Sequence, residues 1–427
     1  MNRSLIAGLL FAALTAFPAF TSPSDTTEET KITFFGCTHY SFGQMVSGTY
    51  IGQEATHVWL QRLVGDLTLK ARPSERLTIY LGAEVDLNFS IYETYQQMET
   101  LIRYVTIYPF HFEGVVSILD NPSAKLDVGI GSFPFKYNGD SRDLGEYLFR
   151  SSCYPPNLIT AFDFSEAWLM GLRVHNTLFN RITQDLLLTT ETSYPPVHDY
   201  SLSYIASGKI WSALELGAGL NFSHLFSVNM AKTTPNSADS RYIDSSMSTT
   251  NPDTMYYTNR GIKLMGRIGF DPKAFFPSDI FGKEDLRLYS EVAALGLKNY
   301  PGYYNDLSQR IPVMVGFNVP FFKVLDVCAV EVEYYSNPYA KSYARQLPSN
   351  TLAQIPLPIP NGGPTHNDDN LKWAIYAKKT FFRNCSLIFQ AADDHMRTRE
   401  AVLIAADMEE ALHRGDWYYM CKVKFTF

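Results

Sequence analysis

Between Arg76 and Ile91 the chain alternates without interruption. Leu77, Ile79, Leu81, Ala83, Val85, Leu87, Phe89 and Ile91 interleave with Arg76, Thr78, Tyr80, Gly82, Glu84, Asp86, Asn88 and Ser90. Successive side chains point to opposite faces only in an extended strand, so this stretch predicts a β-strand with one apolar and one polar side. The alternation outruns the usual strand of a soluble sheet, about five or six residues. It is long enough for a tilted strand to cross a bilayer, which takes about 9–11 residues.

The C-terminal stretch repeats the pattern. Trp417, Tyr419, Cys421, Val423, Phe425 and Phe427 form one face; Asp416, Tyr418, Met420, Lys422, Lys424 and Thr426 form the other. Two lysines inside the run exclude a strand buried on both sides. At the N-terminus, Arg3 precedes an uncharged apolar run from Leu5 to Phe20 and then small residues. This predicts a secretory signal peptide over residues 1–24, with a cut after Ser24 or, alternatively, after Ala16. Behind it no stretch reaches the roughly 18 consecutive apolar residues of a spanning helix. The remaining chain, 25–427, is therefore either water-soluble or a closed barrel, the other structure that satisfies its backbone inside lipid.

Composition favours the barrel. Aromatic residues make up 14%, yet mean hydropathy is only −0.12, the balance expected when apolar and polar faces alternate. The net charge of −7 argues against a nucleic-acid partner. Cysteines at 37, 153, 328, 385 and 421 are too few for a disulfide scaffold and form no close metal-binding pair. Cys37 and Cys421 fall at similar depths on the first and last strands, which leaves open a bridge across the seam or two buried thiols. There is no phosphate-binding glycine loop and no Gly-x-Ser-x-Gly elbow. Asp393-Asp394-His395 and the 366–370 cluster read as solvated polar groups, with calcium at the second left open. No catalytic residue, metal ligand or cofactor is assigned.

Taken in order, the alternating segments number sixteen, and the connections between them are unequal. Those after strands 2, 4, 6, 8, 12 and 14 are short; those after strands 5, 9, 13 and 15 are long. The connection after strand 10 fits this scheme least well, and 397–415 is expected to carry a short helix. The fold class is thus all-β: a closed, 16-stranded antiparallel transmembrane β-barrel with short periplasmic turns and long external loops. Aromatics mark both rims, Phe321, Phe322, Phe381 and Phe382 at short turns and Tyr334 and Tyr335 at the opposite ends, as two interfacial girdles require.

A barrel of this size encloses a water-filled lumen, so its inward face carries charges of both signs. Here the chain resembles the general diffusion porins, in architecture and without a family-specific motif. The resemblance implies a bacterial outer-membrane channel through which small polar solutes diffuse passively. It further implies that the closing strand, with Trp417, Phe425 and Phe427, is read by the barrel-assembly machinery. In those porins the loop between strands 5 and 6 folds into the lumen. Its counterpart is 136–159, which carries Asp140, Asp143 and Glu146. These acids would face Arg62 and Arg76, with Glu84 and Asp86 also lining the pore. Outer-membrane lipids are the expected surroundings, and homo-oligomerisation stays open. The alternatives are a non-transporting barrel with adhesin or receptor loops, and a barrel enzyme acting on lipid or glycan.

Overall fold

The computed structural model describes residues 31–50, 53–88, 91–93, 99–101, 104–151, 158, 160, 166–190, 199–226, 261–276, 279–297, 306–336, 369–396, 399–401, 404–405, 409–411 and 413–427. The signal-peptide expectation, most of the long loops, Cys153 and the tyrosines at 256–257 and 303–304 lie outside them.

Sixteen strands form one antiparallel sheet. They are β1 (Lys31–Tyr50), β2 (Gln53–Arg72), β3 (Leu77–Asn88), β4 (Tyr104–Asp120), β5 (Ala124–Phe135), β6 (Ala167–Leu178), β7 (Ile182–Thr190) and β8 (Tyr200–Lys209). Then follow β9 (Leu214–Phe226), β10 (Gly261–Phe270), β11 (Leu288–Ala294), β12 (Val313–Asn318), β13 (Val327–Tyr334), β14 (Leu371–Phe381), β15 (Cys385–Asp393) and β16 (Trp417–Thr426). Each strand pairs with its neighbour in sequence, and β16 returns to β1 with Cys37 opposite Thr426 and Lys422 opposite Ser41. The seam ends on reciprocal bonds, Gly36 N–H to Phe427 O at 3.2 Å and Phe427 N–H to Gly36 O at 3.1 Å. Closure leaves no bare edge, which is the condition for a sheet to stand in lipid.

The pleat explains the two surfaces. On β1 the odd positions Cys37, His39, Ser41, Gly43 and Met45 are buried, whereas Tyr40 and Phe42 are exposed. The same alternation leaves Leu81, Ile107, Ile130, Leu186, Ile268, Val315 and Leu387 bare on the outside. Soluble monomers seldom expose a contiguous apolar patch above about 300–600 Å². Here the apolar surface recurs on strand after strand around the barrel, and hydrocarbon is the solvent that suits it.

The connections divide by end. At the end holding both seam termini the links are 73–76, 121–123, 179–181, 210–213, 319–326 and 382–384. The longest link at this end is 271–287, which begins with a 3-10 turn, Pro272–Phe275, capped by Asp271. This is the connection that fitted the short-turn scheme least well. The opposite end carries the long connections. The link after β3 contains a short hairpin, Ile91–Glu93 with Glu99–Leu101. The helix expected within 397–415 is replaced, among the described residues, by a ribbon of Arg399–Ala401 against Ile404–Ala405.

Two further expectations are corrected. Cys37 and Cys421 do not share a level: Cys37 stands opposite Thr426 and Cys421 opposite Phe42, and both are free thiols. Their positions put one on each face of the wall. Tyr334 is exposed at the end of β13, but Tyr335, expected beside it on the outer rim, is buried next to His395. Neighbouring residues on a strand point to opposite faces, so only one of a Tyr pair can face outward. Phe321, Phe322, Phe381 and Phe382 are all exposed at the short-turn end. On the closing strand, Phe425 and Phe427 point outward, and Trp417 lies against Trp373 and Tyr419.

Candidate functional site: a lumen with one loaded wall

The segment following β5 turns into the barrel. Leu144, Tyr147 and Leu148 are buried in one apolar cluster with wall residues Leu187, Ile205, Met265 and Met314. Gly219 leaves space for it: a Cβ there would lie 2.6 Å from Leu148 Cδ1. Gly145, at φ +89°, and Glu146, at φ 59°, take left-handed conformations in succession. Such pairs aim consecutive N–H groups at one point and so cup an anion.

The anion is a wall carboxylate. Glu291 on β11 accepts the N–H of Glu146 at 3.1 Å, the N–H of Tyr147 at 2.9 Å, the Tyr137 hydroxyl at 2.7 Å and Asn138 Nδ2 at 2.9 Å. Glu331 on β13 accepts the N–H groups of Arg142, Asp143 and Leu144 at 2.5, 2.9 and 2.8 Å. It also accepts the Tyr289 hydroxyl at 2.7 Å. Tyr289 reaches it because Gly316 opposite has no side chain; a Cβ there would fall 2.2 Å from the ring. Glu333 accepts the Tyr147 hydroxyl at 2.8 Å. The carbonyl side of the loop is held by a cation, with Lys263 Nζ donating to Leu148 O at 3.1 Å and Ser151 O at 2.8 Å. Wall anions take the loop's N–H groups and a wall cation takes its C=O groups. A buried loop without secondary structure needs such partners for its backbone.

The loop acids are turned to internal contacts. Asp140 meets Arg287 at 2.5 Å. Glu146 Oε1 accepts the Asn138 N–H at 2.5 Å. Burial, and then the charge of Glu291, push the Glu146 carboxyl up to about 7 against the pull of Lys136 and Arg150. Burial and the adjoining Asp394 carboxyl hold Asp143 well above the usual carboxylate range.

The opposite wall is arranged differently. Cross-strand rows place Lys422, Ser41 and Arg62 side by side, and Lys424, His39, Val64 and Asp86 in the next row. Arg62 forms a two-pronged pair with Asp86 at 2.8 and 2.7 Å and remains 22% exposed. Glu84 sits opposite Asp66, and both are partly exposed. Arg62, Glu84 and Asp86 thus share one wall. Asp140, Asp143 and Glu146 gather with the loop, and their ion-pair and backbone partners come from the far wall and from the loop itself. Arg76 joins neither group: it is exposed in the 73–76 turn at the end of the barrel. Alternation carried no information on where the strand begins. Glu291, Glu331 and Glu333, the residues that seat the loop, were legible as inward acids but not as loop anchors. The signal was a set of inward acids on β11 and β13 facing a loop rich in backbone donors.

No family model matches the chain, and no curated protein matches it. Solved structures similar to it include a mutant of the Rh. blastica porin, at 8% identity and TM-score 0.44 over 93% of this chain and 100% of that one. Another is Salmonella typhi OmpF in complex with daunomycin, at 11% identity and TM-score 0.46 over 94% of this chain and 99% of that one. Likeness at this level is one of general architecture. Barrel closure and the shape of the lumen rest on the pairing and burial described above.

Proposed function

We propose that this barrel is a passive outer-membrane channel for small polar solutes, acting without covalent chemistry. The observation that carries the proposal is the asymmetric lumen. One wall is occupied by a loop seated on Glu291 and Glu331, while Arg62, Glu84, Asp86 and Lys424 on the other remain partly exposed. Hydrated solutes would pass along that second wall, sorted by size and by its mixed charges. In this reading residues 1–24 direct export and 25–427 form the barrel. The seam strand with Phe425 and Phe427 serves as the handle for barrel assembly, lipid surrounds the outer face, and association of copies uses that same face. Reconstitution in a planar bilayer tests the function. A steady, ohmic conductance after verified insertion supports the channel; inserted protein with no conductance overturns it and favours a barrel whose loops serve as a receptor surface.

A further inference from the structure

Both described ends of the segment after β15, 394–396 and 409–411, are also buried, although no sequence pattern marks them. Asp394, His395, Met396, Glu409, Glu410 and Ala411 are all nearly inaccessible. Met396 belongs to the apolar cluster that holds Leu144, Tyr147 and Leu148. His395 O accepts the Thr160 N–H at 3.0 Å, and the Glu410 N–H donates to Met396 O at 2.9 Å. At the other side of the seam, a Cβ on Gly48 of β1 would lie 2.6 Å from Glu410 O, and Ser47 Oγ donates to Asp416 at 2.8 Å. The described residues on either side of this segment thus contact Thr160 at one end and β1 at the other.

A chain of charged groups joins the two inserted segments. Lys372 on β14, fully buried, donates to Asp369, to Asp393 at 2.8 Å and to the Ala411 carbonyl at 2.6 Å, and lies 3.0 Å from Glu409. Glu409 lies 3.2 Å from His395 Nδ1, and His395 Nε2 lies 2.6 Å from Glu333. Glu333 in turn takes the Tyr147 hydroxyl of the first loop. A second link runs from Gln390 through the Tyr418 hydroxyl to Asp394, each step 2.8 Å, and Asp394 adjoins Asp143. Ala374 and Ala392, in the same cross-strand row as Tyr418, supply the space.

We propose that the segment after β15 is a second pore-narrowing element, clasped to the first through Lys372, Glu409, His395 and Glu333, and that the pair together sets the size limit of the channel. The size limit rests on the channel reading; the clasp does not. Lys372 is a positioning residue here, since it reaches the first loop only through others. Its replacement removes the cation that Asp369, Asp393 and Glu409 share, which loosens the segment.

The test uses the full-length barrel refolded into detergent and lipid. Lys372→Met is expected to raise single-channel conductance and the largest uncharged sugar that enters vesicles, conductance by about twofold. It is also expected to speed amide exchange in both 136–151 and 394–411. Lys283→Met, on an exposed turn at the other end, should do neither. Inserted Lys372→Met with an unchanged size limit overturns the proposal, and so does faster exchange confined to 394–411. Where Lys372→Met does not fold, Tyr147→Phe removes the Glu333 contact and keeps every charge. It should raise exchange in both segments, and no change refutes the clasp. If the wild type conducts nothing, the channel reading fails, and the exchange experiment still decides the clasp.

Discussion

The two walls of this lumen are built from similar residues and put to different use. On the loaded wall, Glu291, Glu331 and Glu333 are almost wholly inaccessible, and their hydrogen bonds turn each toward loop donors, Tyr289 or His395. On the bare wall, Arg62 pairs with Asp86 while both keep contact with water. An inward charge is therefore not by itself a charge that a solute meets. What decides is whether the opposing loop offers backbone partners that take the charge out of solution. Where it does, the residue fixes the width of the channel; where it does not, the residue sets the field along the path.

Removal of a loaded-wall anchor should break this contrast most severely. Glu331→Ala leaves three loop N–H groups and the Tyr289 hydroxyl without their acceptor, at a cost of about 1–3 kcal/mol for each donor that stays buried. Release of the loop limits that cost. The expected outcome is a barrel that still closes, conducts more, and shows fast exchange at 142–144. Wild-type exchange in an inserted Glu331→Ala barrel would mean that apolar contacts around Leu144 and Leu148 suffice to seat the loop.

Charge reversal on the bare wall sharpens the same contrast. Lys424→Glu places an acid in the same cross-strand row as Asp86, and reversal-potential measurements under a salt gradient should shift toward cations. Glu146→Gln, a comparable change on the loop, should leave the reversal potential within error because its carboxyl is buried and bonded to Asn138 and Tyr137. Equal shifts from both variants would show that the loop acids reach the solute path after all.

The strand pattern of the barrel could be read from the sequence because alternation is local. The run from Arg76 to Ile91 and the closing strand each state which residues face lipid, and the walls follow by pairing. The site was less legible because docking is not local. Nothing near residue 331 announces that its partners are the amides of 142–144, and nothing near 394–396 or 409–411 announces burial. Arg76 and Tyr335 were misplaced for different reasons: period two does not say where a strand begins, and a pair of adjacent tyrosines cannot put both rings on one face.

A smaller effect should appear on titration. Glu146 and Asp143 bind protons more readily in the seated loop than in a released one; for Glu146, loss of that proton weakens seating as pH rises from about 4.5 through about 7. Burial opposes the charge on His395, but Glu333 and Glu409 outweigh it and raise its pKa to about 9. Its contribution is thus complete below about 6.5 and lost as pH rises through about 9. Lys372 adjoins it through Glu409, and the Tyr335 ring lies 6.5 Å away. Both groups act in one direction: the lumen is narrowest in acid and widens in alkali. Conductance measured from pH 5 to about 10 should rise in two steps. His395→Gln should abolish the upper step alone, and Glu146→Gln should reduce the lower one. A single step that survives both variants would place the titrating group elsewhere.

The smallest expected effects separate backbone strain from crowding within the loaded wall. Gly145 is left-handed, and a Cβ there would also press on Met314 Cε at 2.8 Å, with Glu291 Oε2 at 3.3 Å. Gly145→Ala should cost about 1–2 kcal/mol of seating from the left-handed conformation alone. Gly219→Ala meets only the side-chain ends of Leu148 and Met265, at 2.6 and 2.9 Å. Both can move aside, so its cost should fall below that of Gly145→Ala. Amide exchange across 142–148 orders the two. A Gly219 variant that loosens the loop as much as the Gly145 variant would mean that close fit around Leu148, and not the left-handed turn onto Glu291, holds the loop against its wall.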